Sequence, residues 1–412
     1  MTVAIEKAEA VGMSKSRLER IKPAMQSYVD RGIYAGVSTL IARRGQIVHA
    51  EEFGWRDKEA KAPMSADTIF RLYSMTKPIV CTALMTLFEE GRFTLFDAVA
   101  KYIPAFGKVK VLQADGTLVD PVRPMNVRDV MAHTSGLSYS FLEDTPVSRM
   151  YERGKLFDAT RPLKEAIEDL AEFPLAYQPG ARWHYSVGID VAARLIEVIS
   201  GEGLGDFLRK RLFEPLGMRD TAFGVPEEKR ARLAAMYGRP DVITPGVTQS
   251  SELEAWSKGV NDRVDVSKSY PVDKPNVFVR GGHGLFGTIG DYYRFAQMMV
   301  NGGELDGERI IGRKTLELMH SNCLPASLMP IEIGGLPLMG YGFGLGSRVL
   351  MDVAQSGVPG SVGEFGWSGA AKTHFWVDPK EQVVGLFMTQ SMISFDLPEL
   401  VLRALAYQAI AD

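Results

Sequence analysis

The chain has 412 residues, enough for one large core or two lobes. Hydrophobic residues make up 46% and charged residues 24%, the balance of a soluble globular protein, and a net charge of -3 without a basic run gives no support to nucleic-acid or anionic-membrane binding. Its two cysteines, Cys81 and Cys323, lie too far apart to read as a disulfide framework, and no run is long and apolar enough to span a membrane.

The segment Met1 to Val11 lacks the basic and apolar parts of a secretory signal, so a reducing cytoplasmic home is expected. Ser14 to Asp30 reads as an amphipathic helix with Leu18, Ile21, Met25 and Tyr28 on one side. Gly36 to Ala42 reads as a strand, Arg43-Arg44-Gly45-Gln46 as a turn, and Ile47 to Phe53 as a second strand. After Arg71-Leu72-Tyr73-Ser74-Met75-Thr76-Lys77-Pro78, the residues Val80, Ala83, Leu84, Leu87 and Phe88 recur at helical spacing. Pro78 falls in the first turn of that helix, where its missing N–H costs nothing, and Glu89-Glu90-Gly91 supplies the stop. Cys81, inside this helix, reads as a small buried hydrophobe. The stretch from Asp97 to Gly217 is helix-rich and broken by Pro and Gly, and residues 225 to 280 are polar and irregular, as in a long excursion or lid. His374 to Val377 and Gln382 to Met388 flank Asp378-Pro379-Lys380-Glu381 as a hairpin, and a last helix runs from about Leu397 to Ile410. The expected class is α+β: an antiparallel sheet with strands from both chain ends, flanked by helices, with a mostly helical lobe inserted.

Ser74 and Lys77 stand three residues apart at the mouth of a helix, so their side chains share one face. A serine hydroxyl is a poor nucleophile near neutrality, and a lysine against it can carry its proton or stabilise the alkoxide. A capping serine followed by a surface lysine would give the same four residues. Trp183-His184-Tyr185-Ser186-Val187 follows the turn Gln178-Pro179-Gly180, and Tyr185 could serve there as a phenolate base if cations such as Lys77 depress its pKa, with His184 as a rival. Glu364-Phe365-Gly366-Trp367-Ser368-Gly369-Ala370 has glycines that allow close backbone approach, and the N–H groups of Ser74 and Ala370 could form an oxyanion hole. The six histidines form no HExxH and no cluster with carboxylates, which argues against a zinc enzyme. No Gly-x-Ser-x-Gly elbow occurs, which argues against an ordinary α/β-hydrolase, and there is no phosphate loop and no dinucleotide fingerprint after a strand. Gly281-Gly282-His283-Gly284-Leu285-Phe286-Gly287 reads as a tight backbone turn near the rim of the site.

Together these segments resemble the class C β-lactamase and penicillin-binding-protein-like serine hydrolases from about Gly36 to Met388, and most of all the family VIII carboxylesterases. The matching pieces include Leu72 to Pro78, Leu95-Phe96-Asp97-Ala98-Val99, Val127 to Leu137 with its His133-Thr134-Ser135-Gly136, Tyr185-Ser186-Val187, Pro215-Leu216-Gly217-Met218, Gly281 to Leu285, and Trp367-Ser368-Gly369. The resemblance implies a β-lactamase-like fold, with an α/β lobe from residues 1–100 and 216–412, a helical lobe from 101–215, and the site in the cleft between them. It implies an acyl-enzyme on Ser74, with Tyr185 as the phenolate base, Lys77 stabilising it, Trp367, Ser368 and Gly369 lining the substrate, and no metal or cofactor. Penicillin-recognising relatives carry Tyr-x-Asn and Lys-Thr-Gly, where this chain has Val187 and Trp367-Ser368-Gly369. Losing that amide and that ammonium shifts the expected substrate to small, neutral, short- to medium-chain esters, with weak β-lactam turnover retained. Transfer of the acyl group to an alcohol, and β-lactamase or D-amino-acid peptidase chemistry, are the alternatives, and a monomer or homodimer is expected.

Overall fold

The computed structural model describes residues 5–142, 145–156, 158–238, 262–392 and 397–412. Part of the expected excursion, residues 239–261, lies outside them.

Eight strands form one antiparallel sheet: β1 (Gly36–Arg43), β2 (Gln46–Asp57), β3 (Ala62–Pro63), β4 (Tyr341–Phe343), β5 (Arg348–Leu350), β6 (Phe365–Ser368), β7 (His374–Asp378) and β8 (Val383–Met388). Their order is β4-β5-β6-β7-β8-β1-β2-β3. The two chain ends meet at β1 and β8, with Ser38 opposite Met388 and Arg43 opposite Val383. The principal helices are α1 (Ile21–Asp30), α2 (Thr76–Glu89), α3 (Gly188–Ser200), α4 (Ile289–Val300) and α5 (Pro398–Tyr407).

Strand alternation sends side chains to opposite faces, and here both faces are covered. Val37, Ile41, Trp376 and Phe387 pack with Ile21 and Met25 of α1 and Leu402 and Ala406 of α5. Leu40, Ala42, Val384 and Leu386 belong to the larger core, which takes in Phe295 and Met299 of α4. Between β3 and β4 the chain supplies α2, the short helices Val127–Met131, Pro146–Arg153 and Leu163–Leu170, then α3, which packs along α2. Helix α2 is buried from Thr76 through Leu87, all round rather than along one stripe. Gly346 makes this possible on one side, since a Cβ there would lie 2.6 Å from Cys81 Sγ. Cys81 and Cys323 are free thiols.

Three boundaries differ from the sequence reading. The helix expected from Ser14 to Asp30 breaks into Lys15–Leu18 and α1, because Pro23 has no N–H to offer the carbonyl of Glu19. The second strand continues to Asp57, because Gly54 passes through the sheet at φ +70°, where it pairs with Gly36. The last helix is shorter at both ends than Leu397 to Ile410. The turn between β1 and β2 has Arg44 at φ 52° and Gly45 at φ 76°, the left-handed pair that a two-residue hairpin demands.

Gly385 on β8 faces Trp376 on β7, and a Cβ there would lie 2.1 Å from the indole ring. Gly385→Ala should therefore lower stability by about 2 kcal/mol through overpacking. In urea unfolding the midpoint falls at unchanged slope; an unshifted midpoint would mean that the sheet relaxes around the methyl group.

Candidate active site

Ser74 sits in a single 3₁₀ turn, Tyr73–Met75, that runs directly into α2. Tyr73 takes φ +46°, a left-handed conformation that costs an aromatic residue energy and needs bracing. The braces come from the other half of the chain. Tyr270 stacks on Tyr73 with ring centroids 4.7 Å apart, and its hydroxyl donates to Leu285 O at 2.7 Å. The Leu72 N–H donates to the same carbonyl at 2.9 Å, Thr373 Oγ1 donates to Leu72 O at 3.2 Å, and Tyr292 OH donates to Met75 O at 2.9 Å.

Lys77 lies one turn into α2 and is fully buried. Its Nζ donates to Ser74 Oγ at 3.1 Å and to Gly282 O at 2.7 Å, and stands 4.6 Å from the ring centroid of Tyr185 and 5.4 Å from that of Tyr139. Burial lowers its pKa to about 7, against the pull of Asp190. A capping serine with a surface lysine is excluded by this burial.

Tyr185 is also buried and is hydrogen-bonded to Ser74. The indole Nε1 of Trp367 donates to its hydroxyl at 3.2 Å. Burial pushes the phenol above its ordinary range, and the hydrogen bonds to Ser74 and Trp367 only partly oppose this. The sequence made a phenolate conditional on cations such as Lys77 depressing the Tyr185 pKa; burial works in the opposite direction and favours the neutral phenol. The loop carrying Tyr185 is held by His133, whose Nδ1 accepts from Ser186 N at 3.2 Å and whose carbonyl accepts from His184 N at 2.8 Å. His184 Nε2 lies 3.0 Å from Ser138 Oγ and its ring packs 5.0 Å from Tyr177, so it serves the loop rather than the serine.

Trp367 packs against Tyr185 and Phe343, with centroids 5.4 and 5.2 Å away. Ser368 turns toward His374, with Oγ 2.7 Å from Nδ1. Gly369 lies so close to the serine turn that a Cβ would meet Leu72 O at 2.4 Å, and Ala370 packs in the small cluster around Tyr73 and Tyr270. The structure therefore gathers Ser74, Lys77, Tyr185 and Trp367 directly and brings the backbone of residues 368–370 beside the nucleophile's turn. Two contributors were not visible as such in the sequence: Gly282, read only as part of a turn at the rim, supplies a carbonyl to Lys77, and Asp190 lies buried near Lys77 and Tyr139, whose ring stands beside Lys77. Val187 and Asp190 also line a small cavity of about 20 Å³ whose other walls are mostly aliphatic.

A serine and a lysine in hydrogen-bond contact at a helix mouth, with a tyrosine completing the group, suit acyl transfer through a covalent intermediate. The known proteins this chain resembles agree. The Beta-lactamase family matches residues 21–408. Esterase EstB of Burkholderia gladioli is 30% identical over 348 residues, covering 83% of this chain and 82% of its own. The solved structure of EstCE1, a hydrolase with promiscuous acyltransferase activity, superposes with a TM-score of 0.78 at 26% identity, over 95% of this chain and 99% of that one. A family VIII carboxylesterase shares the fold with a TM-score of 0.68 at 20% identity, over 97% and 99%. This chain belongs to the Beta-lactamase family and is a serine hydrolase.

Proposed function

We propose that this chain is a carboxylesterase that cleaves short- to medium-chain esters through an acyl-enzyme on Ser74, in a cleft between residues 1–100 with 216–412 and residues 101–215. The observation that carries this reading is the contact between Trp367 and Tyr185: an indole stands where penicillin-recognising relatives carry an ammonium, so nothing on that strand pairs with a substrate carboxylate. Val187 likewise presents no amide to a substrate side chain.

In the neutral form Lys77 keeps its hydrogen bond to Gly282 O and presents a lone pair to Ser74. The serine proton passes to Lys77 as Oγ attacks the ester carbonyl. The N–H groups of Ser74 and Ala370 hold the oxyanion. Tyr185 gives its proton to the departing alkoxide and regains one from Lys77, so the serine proton ends on the alcohol. Water, deprotonated by the same pair, then releases the acid. An alcohol in place of that water yields a new ester, and the likeness to EstCE1 supports this second outcome.

Ser74→Ala should reduce p-nitrophenyl ester turnover by at least about 10³-fold, and wild type should turn over a chromogenic cephalosporin far more slowly than the ester. Ester turnover that survives the substitution would remove Ser74 as nucleophile, and dominant cephalosporin turnover would remove the ester preference. Because Lys77 must shed its proton first, kcat/KM should rise with pH through an inflection near 7 to a plateau. Burial holds His133 and His283 neutral well below that point, so neither accounts for such an inflection. Ester hydrolysis with an added short alcohol should divide the acyl group between acid and new ester; acid alone at every alcohol concentration would exclude transfer.

A further inference from the structure

Asp190 lies in the first turn of α3 with its carboxylate fully inside the protein. Its Oδ1 accepts from two consecutive backbone donors, Gly281 N at 3.0 Å and Gly282 N at 3.1 Å. The carbonyl of that same Gly282 accepts from Lys77 Nζ at 2.7 Å, and Lys77 in turn reaches Ser74 at 3.1 Å. Glycine is required at both positions for this approach: a Cβ on Gly281 would lie 2.0 Å from Ile189 O, and one on Gly282 would lie 2.7 Å from both Asp190 Oδ2 and Tyr139 OH. Among the described residues, Asp190 Oδ2 has no hydrogen-bond partner. Arg280, the nearest guanidinium, spends its Nη groups on the carbonyls of Val279, Asp158 and Arg161, so it forms no contact pair with the carboxylate. The charge of Asp190 therefore acts through space, on Lys77 among others.

We propose that Asp190 is a positioning residue for the reaction: its carboxylate clamps the Gly281-Gly282 backbone so that the Gly282 carbonyl fixes Lys77 against Ser74, and its negative charge faces the ammonium form of Lys77. The inference rests on the reading of Lys77 as the group that takes the serine proton. The groups facing the pair are Arg280 and His283 from the glycine-rich turn, Tyr139 from the loop after Gly136, Tyr185 and His133 around the tyrosine loop, and Cys81 one turn along α2 from Lys77. Both histidines are held neutral by burial, the tyrosines are held as phenols and burial pushes the Cys81 thiol up, which leaves Asp190 as the charge that acts on Lys77, while Arg280 acts on Asp190.

Asp190→Asn retains an acceptor for the two N–H groups and removes the charge. The ammonium of Lys77 then loses its counter-charge, and the sign is downward: Lys77 gives up its proton at lower pH. We expect the acid limb of kcat/KM for p-nitrophenyl acetate to move about one pH unit lower, and the Lys77 Cε resonance, assigned with Lys77→Arg, to titrate lower by the same amount. Misfolding alone lowers amplitude without moving a limb in this direction. Asp190→Glu, which keeps the charge but displaces the clamp, should lower the plateau several-fold with the limb in place, and serves if the asparagine variant does not fold. A Lys77 titration that shifts while the limb stays would support the role of Asp190 and overturn Lys77 as the proton acceptor. An unshifted Lys77 titration in Asp190→Asn, or a downward shift of the limb in Asp190→Glu, would overturn the proposal.

Discussion

A lysine amine with no access to solvent is the constraint around which this molecule is arranged. Lys77 would carry its proton in water at pH 7, and folding removes the water that stabilises that charge. Its pKa falls from 10.5 to about 7, so the folded chain binds fewer protons than the unfolded one between those values. Stability is therefore reduced below that window and recovered as pH rises through it, by roughly 5 kcal/mol over the full span. A fold that carries such a cost in its central helix must recover it elsewhere. The apolar burial of α2 on every side, along α3 and beneath the sheet, is the available source. The site and the core are thus opposed in energy and inseparable in space.

Trp367 bears on the electrostatics of the site as well as on its lining. A second ammonium at that position would draw the tyrosine toward phenolate and push Lys77 further toward neutrality. An indole N–H donates one hydrogen bond to Tyr185 and no charge. Burial then favours the neutral phenol at Tyr185 and lowers Lys77 to about 7. The same residue also closes the wall with Phe343 and Tyr185, so one side chain supplies both an apolar face and an uncharged donor to Tyr185.

What could be read from the sequence was whatever local chemistry dictates. Pro78 and Gly91 bracket α2, and the Arg44-Gly45 turn forces the hairpin. Ser74, Lys77, Tyr185 and Trp367 were legible because each sits in a short run of distinctive composition. Asp190 was not, since a lone carboxylate in the first turn of a helix is indistinguishable from one that merely complements the helix dipole. Gly282 acts through its backbone carbonyl, which no side-chain pattern encodes. The direction of the Tyr185 pKa shift is hidden for a related reason: it depends on total burial, a property of the assembled core. Pro23 and Gly54 show the same limit at element ends, where a proline started a helix afresh and a glycine extended a strand it was expected to finish.

The strained turn at Tyr73 explains why so much of the chain converges on so few atoms. A left-handed aromatic residue relaxes unless its neighbours over-determine it. Here the carbonyls of Leu72 and Met75 accept from Thr373 and Tyr292, and the Leu72 N–H is taken by Leu285, so three segments distant in sequence hold one turn. Two of them, the glycine-rich stretch and the end of β6, also supply Gly282 to Lys77 and place the backbone at Gly369 against Leu72. The groups that brace the nucleophile and the groups that set its surroundings are therefore the same pieces of backbone. Any shift of either segment loosens the turn and misplaces Lys77 together, and the geometry that acyl transfer needs exists only when the whole sheet and the loop over it have closed.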